Sequence, residues 1–410
     1  MVPELTRRRL LAAGGLTATA LTGGYAFAAR TTEAPNSPSG WPMAQRDPAG
    51  RCFAPAATPP EDDVSVAWKR PFDARLGLGY RVTPVVADGR VYALSDELLV
   101  CDAASGEVQY RADRSATATP AVAAARAYES PTLAVNDATG PAGLHAGGGV
   151  ELFGAQRGLT RWHGVATDDG TTILGTSTEP VPVVAADGTV LSSGGDSLTA
   201  IDSGDGTVRW QREAASTRPA VRNGIVYTTR YVGGTVVGFD LTSGEQRREI
   251  PLPDRIPWSV TATPEGLVVG TREGLLGLTA DGEVRWRYEP PDATDARGAI
   301  AVGEGVAYTG LEIEGLDVLV AVDTADGTER WRSDVDPASL SGAAPPAVAA
   351  NRVYIPTQSG ALVAVDAETG EVSWRFQDDG EQPVPMSPAA LVGEYLYVIG
   401  SNHVYALEDA

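Results

Sequence analysis

One short phrase recurs along this chain: an apolar run ending in Asp, a turn closed by Gly, and a second run that carries Trp. It reads VAVDAETGEVSWRF at 363–376, VAVDTADGTERWRS from Val320, TAIDSGDGTVRWQR from Thr199, LVCDAASGEVQYRA from Leu99 and VGFDLTSGEQRREI from Val237. A shortened copy, LGLTADGEVRWRY, starts at Leu276. The turn glycines are Gly106, Gly206, Gly244, Gly282, Gly327 and Gly370, so most steps are 38 to 45 residues and the 100-residue step has room for two units. A period in that range restricts the fold to a solenoid, a propeller or an array.

The interior of each unit decides among these. Ahead of the phrase stands a second pair of alternating runs, as in TPVVADGRVYALSDELLV (83–100) and RPAVRNGIVYTTRYVGGTVV (218–237), split by Asp-Gly or Asn-Gly. Such dipeptides favour tight hairpins because both central residues take positive φ. Each unit is therefore about four short antiparallel strands, and no stretch past residue 30 holds a 3.6 period for long. Four strands per unit around an axis make an all-β, single closed β-propeller. The outer strands, read at Trp68, Tyr110, about Ile173, Trp210, Arg248, Trp286, Trp331 and Trp374, number eight. The chain opens with an outer strand, VSVAWKRPF (64–72), and stops after the inner strands at HVYALEDA (403–410). The first strand is thus expected to complete the last blade, leaving no long open edge. Residues 115–178 are rich in Gly and Ala and lack the turn phrase, so seven blades with a long insertion is the alternative.

The unit resembles the repeat of the pyrroloquinoline-quinone-like (PQQ-like) propeller superfamily, A-x-D-x-x-T-G-x-x-x-W. It is matched by Ala364, Asp366, Thr369, Gly370 and Trp374, and by Ala321, Asp323, Gly327 and Trp331. WPMAQRDPAGRCFAP (41–55) looks like the W-P-M…D-P-A lead-in of such proteins. The resemblance covers residues 41–410 and implies a fold more than a function, because the superfamily holds quinoprotein dehydrogenases, assembly scaffolds and exported proteins of other kinds.

Residues 1–29 stand apart. TRRRLL (6–11), with Arg7 and Arg8 followed by a weakly apolar, Gly- and Thr-rich stretch, resembles a twin-arginine export signal with cleavage after Ala28 or Ala29. An uncleaved membrane tether is the alternative. Residues 30–63 are linker and lead-in, and 64–410 the propeller. The expected location is extracellular or cell-surface. Acidic residues number 53 against 32 basic, a formal charge of −21, and Lys69 is the only lysine. That balance suits strong brine, as in haloarchaeal proteins, and disfavours nucleic acid and anionic membrane as partners.

The recurrent Trp210, Trp286, Trp331 and Trp374 look like an aromatic cofactor box, but a cofactor needs one site and packing between blades needs many. The recurrent Asp is likewise expected to bond amides of its own turn. Quinoprotein dehydrogenases, by the same resemblance, use adjacent cysteines against the quinone. Here Cys52 and Cys101 are far apart, with pairing between them a separate option that would staple the lead-in to the first blade. His145, His163 and His403 are scattered, and no acidic cluster has the spacing of a calcium loop, so no metal site is expected. Aligning the units places Arg81, Arg218, Arg230, Arg272 and Arg297 near one mouth of the central channel, a candidate anion site built from guanidinium forks. The expectation is a monomeric, non-enzymatic binding or scaffold protein for a protein partner or an anionic small molecule, without a cofactor. A PQQ-binding oxidoreductase and a carbohydrate- or peptide-binding surface module are the alternatives.

Overall fold

The computed structural model describes residues 38–410 except 73–81, 117, 126–127, 129, 138–139, 153–154, 158, 165–180, 195, 215–216, 231–232, 292, 296–297, 336–343, 378–385 and 401. The export-signal region therefore lies outside the described residues. Every element described is a strand, and the strands form eight antiparallel blades around a central channel. Blade 1 spans 85–112, blade 2 121–163, blade 3 184–213, blade 4 220–251, blade 5 257–288, blade 6 293–333 and blade 7 347–377. Blade 8 takes its three inner strands from 390–408 and its outer strand from Ser65–Pro71, which pairs with His403–Glu408. The ring closes through the strand at 65–71 and that at 403–408, leaving no unpaired edge there.

Burial follows from each strand's place. The three inner strands of a blade have neighbouring blades against both faces, so they read as continuous apolar runs such as LLVCD and ALVAVD. The outer strands face solvent on one side and alternate, as in VRWQRE, where Trp210 is buried between exposed neighbours. In all eight blades the pairing of third and outer strands slips by one residue just before the aromatic position. This β-bulge turns the outer side chain toward the next blade.

The turn phrase is a latch between blades. The indole N–H of each outer Trp donates to a carbonyl of the following blade's turn: Trp68 to Ala103, Trp162 to Ser203, Trp210 to Leu241, Trp286 to Thr324 and Trp331 to Ala367, at 2.7–3.0 Å. The ring lies on the turn glycine three residues on. A Cβ at Gly244 would stand 2.5 Å from Trp210, and its φ of +67° disfavours any side chain. Trp374 meets the first strand's approach instead and donates to Pro60, 3.2 Å away. In blade 4 Arg248 stands at the Trp register, and Ile250 covers Gly282. Asp102, Asp202, Asp240, Asp323 and Asp366 each accept amides of their own turn. All five carboxyls are held below their ordinary range. For Asp102 and Asp240 the largest cause is the bond from Ser105 or Ser243, and for Asp323 it is Arg330. Asp202 and Asp366 end low although burial, the largest effect on each, pushes upward.

Three expectations are corrected. The third outer strand is Thr160–His163, carrying Trp162, rather than a strand near Ile173, which lies outside the described residues. The eroded region holds a complete blade at 121–163 with an extra hairpin, Val150–Leu152 with Ala155–Arg157, inserted before its outer strand; the seven-blade alternative fails. Nor do Cys52 and Cys101 pair: both are free and buried. Burial pushes the Cys52 thiol far up and that of Cys101 to about 11.

Candidate functional site

Each blade presents its innermost strand to the channel, and that strand has one edge with no partner within the blade. The lead-in supplies it. Gly40 and Trp41 pair with Ala87 and Val86 of blade 1. Val122 of blade 2 donates its amide to Pro42, Met43 packs in one apolar cluster with Val183 and Val184 of blade 3, and Val221 of blade 4 donates to Pro48. The circuit continues with Ala262 of blade 5 to Ala49, Val302 of blade 6 to Arg51, and Val348 of blade 7 to Cys52. It ends where Thr58 donates to Gly393 of blade 8. One short segment thus runs around the channel and satisfies an inner-strand amide in blade after blade, a large return for the few residues ordered.

The circle is tight, and the sequence carries the means. Gln45, Arg46, Gly50 and Cys52 have φ of 60°, 69°, 81° and 53°. Asp47 accepts the amides of Gly50 and Arg51 on one oxygen and the Arg51 guanidinium on the other, at 2.9–3.2 Å. Prolines at 42 and 48 lend carbonyls without bringing an amide that would itself need an acceptor. The segment lies toward the hairpin ends of the inner strands, the turn face, where Ser39 bonds Asp88. The opposite loop face holds the connections between blades and the loops between second and third strands.

Arg218 joins the two levels. Its Nη2 donates to the carbonyls of Ala44 at 3.0 Å and Asp47 at 2.7 Å, and its Nη1 to that of Pro219 at 3.1 Å. Burial lowers its pKa to about 10, against the opposing pull of Cys52 and Asp47. Arg218 therefore turns into the channel and anchors the lead-in rather than opening toward a ligand. Of the other arginines aligned from the sequence, Arg230 ends the second strand of blade 4, partly exposed, with Nη2 3.5 Å from the Glu213 carbonyl. Arg272, exposed, follows the second strand of the adjacent blade 5. Arg81 and Arg297 lie outside the described residues. Among the described residues the loop face thus offers Arg230 and Arg272 on neighbouring blades. On the turn face the last residues of the lead-in meet the C-terminal residues in a cleft of about 310 Å³ lined by Thr58, Pro59, Glu61, Asp62, Asp63, Asp409 and Ala410. Sequence reasoning missed this cleft because its walls come from opposite ends of the chain. It also missed the lead-in's circuit of the inner strands, although the Trp-Pro-Met start and the glycine of Asp-Pro-Ala-Gly were visible.

The chain belongs to the repeat family described as outer membrane protein assembly factor BamB, whose model matches residues 61–250, 146–296 and 272–410. Among curated relatives, a serine/threonine-protein kinase, AfsK of Streptomyces coelicolor, is 29% identical over 325 residues, 75% of this chain and 36% of the kinase. The chain thus spans about a third of that relative's length. Quinohemoprotein alcohol dehydrogenase ADHIIG from Pseudomonas putida superposes with a TM-score of 0.65 at 12% identity, covering 90% of this chain and 80% of the enzyme. BamB from Moraxella catarrhalis does so with a TM-score of 0.60 at 12% identity, covering 85% and 98%. At such identities these likenesses establish a shared propeller and nothing finer.

Proposed function

We propose that this protein is an exported, non-enzymatic binding or scaffold propeller that holds a protein partner on its loop face. The observation that carries the reading is the lead-in. It lines the inner strands near the turn face with the chain's own backbone and engages Arg218, while among the described residues Arg230 and Arg272 on the loop face take no part in closing the ring. The repeated Trp and Asp are spent on latches between blades and on their own turns, so the residues that look most chemical are structural. Membership of a family described by an outer-membrane assembly factor favours the same class, with the partner left open.

The oxidoreductase reading draws on the superposition with quinohemoprotein dehydrogenases, but this chain has no adjacent cysteines to set against a quinone. For the scaffold reading, photo-crosslinkers placed at Arg230 and Arg272, and separately at Glu245 and Glu371 in turn-face turns, are compared in cells that make the protein. The expected result is a discrete crosslinked protein from the first pair, lost on Arg230→Glu with Arg272→Glu. Equal yields from both faces, or none from the loop face, would refute it.

A further inference from the structure

Six large apolar side chains stand exposed among the described residues, and four of them, Val66, Val108, Val284 and Val372, are single valines on outer strands that face solvent. Isolated exposures of that kind are ordinary. The other two, Ile256 and Leu316, are 37% and 53% exposed and lie together on the loop face, on the neighbouring blades 5 and 6.

Leu316 stands on a raised wall. The second and third strands of blade 6 pair over eight positions, from Val306 with Asp323 to Ile313 with Leu316, where those of blades 3, 4 and 5 pair over six from the equivalent turn. Two added pairs lift this hairpin about 7 Å above its neighbours' tips. A short strand, Ala293–Asp295, pairs with Glu312 and Ile313 and braces the extension. Glu314 and Gly315, with φ of 53° and 77°, close it in a tight turn. Leu311, Ile313 and Val318 are buried in one cluster with Leu275 and Tyr288 of blade 5, so that side of the hairpin is turned to blade 5. Leu316, paired with Ile313, carries the same apolar side past the end of the packing into solvent.

The floor beside the wall is built by contacts between blades 4 and 5. Arg272, at the tip of blade 5, donates its amide to the Ile256 carbonyl, and Leu252 on the same connection as Ile256 donates to Gly234, in the loop that Arg230 opens. Arg230, Ile256, Arg272 and Leu316 thus follow one another across blades 4 to 6, cation and apolar side chain in alternation. Arg272 is exposed and Arg230 partly so. Of the carboxylates around them, Glu289 is held by Arg255 at 2.7 Å, Glu273 keeps Oε2 out of solvent, and Asp254 and Glu314 are exposed at the rim.

We infer, building on the loop-face reading above, that this ledge is the docking surface for an acidic segment of the protein partner in which carboxylates alternate with large apolar side chains. The guanidinium forks of Arg230 and Arg272 take the carboxylates. Ile256 and Leu316 take the apolar side chains and exclude water from the ion pairs, which strengthens them. Complementarity of this kind selects the partner by sign at contact, although the net charge of −21 draws cations from a distance.

Fluorescence anisotropy at one fixed ionic strength compares short labelled peptides of alternating Leu and Asp, alternating Leu and Lys, and alternating Ser and Asp. The Leu–Asp peptide is expected to saturate and the Leu–Lys peptide not to, while the Ser–Asp peptide binds weaker by about tenfold or more. Leu316→Ser and Arg272→Glu each weaken the Leu–Asp peptide by about tenfold or more and keep the thermal midpoint, since both side chains are exposed. Asn402→Ala, at the exposed loop tip of blade 8, leaves binding unchanged. Equal or tighter binding of the Leu–Lys peptide, undiminished binding by L316S, or the same loss in N402A would overturn the inference. Crosslinks from Arg230 and Arg272 in cells, with no binding of the Leu–Asp peptide, would overturn it too while leaving the loop-face reading standing.

Discussion

Arg218→Ala removes a buried guanidinium that ties the channel wall to the lead-in, and its cost can be worked from its three bonds. Bonds to a charged donor contribute about 1.5–3 kcal/mol each, and the carbonyls of Ala44, Asp47 and Pro219 lose that donor together. Against this, the variant no longer pays to bury a charge, several kcal/mol in the opposite direction. The net loss is about 3 kcal/mol, because breaking a buried network from one side is destabilising overall. For a propeller of this size the unfolding entropy is about 0.8 kcal/mol per kelvin, so the midpoint should fall by about 4 °C. Scanning calorimetry in molar salt measures it. Hydrogen exchange adds a local reading: the amides of Val221, Ala262 and Val302, which donate to lead-in carbonyls, should lose protection by more than amides of the third strands. A midpoint within 1 °C of the parent, with those amides as protected as before, would refute the view that Arg218 holds the lead-in in place.

Three further outcomes follow from the same geometry. Trp210→Ala should cost about 3–5 kcal/mol by deleting a buried ring and its bond to Leu241, and Gly244→Ala, on the other side of that contact, should destabilise as well; denaturant midpoints check both, and neutral variants would contradict the latch. The five turn aspartates are more acidic folded than unfolded, so their contribution is fully present above the unfolded value of about 3.9 and is lost as pH falls through it toward the lower folded values. Stability should accordingly be level near neutrality and fall steeply below about pH 4, and Asp102→Asn should make that fall shallower; an unchanged profile would count against the turn bonds. Both cysteines should resist a thiol reagent in the folded protein and react as two thiols after unfolding, with or without reductant, and a reductant-dependent count would restore the disulfide.

Much of the fold was legible because blades repeat. The spacing of Gly206, Gly244, Gly282, Gly327 and Gly370 marks one latch per blade, and the Asp-Gly and Asn-Gly hairpins fix strand number, since each requirement is local. Blade 2 was read wrongly for the same reason. His145 replaces the phrase's Asp, and an inserted hairpin separates it from Trp162, so the phrase is broken there and its Trp does not fall at the expected spacing. The site was less legible. Placing Arg218 at a mouth assumed an empty channel, and only the contacts of residues 40–58 with the inner strands reveal that its partner is the chain's own lead-in.

The most direct test of the account is a calorimetric titration of the folded chain with pyrroloquinoline quinone, with and without Ca²⁺, in high salt. A binding propeller whose inner strands are bordered by its own lead-in should give no saturable heat and no quinone absorbance after desalting. Stoichiometric binding that requires Ca²⁺ would contradict the account and place the protein among the quinone enzymes.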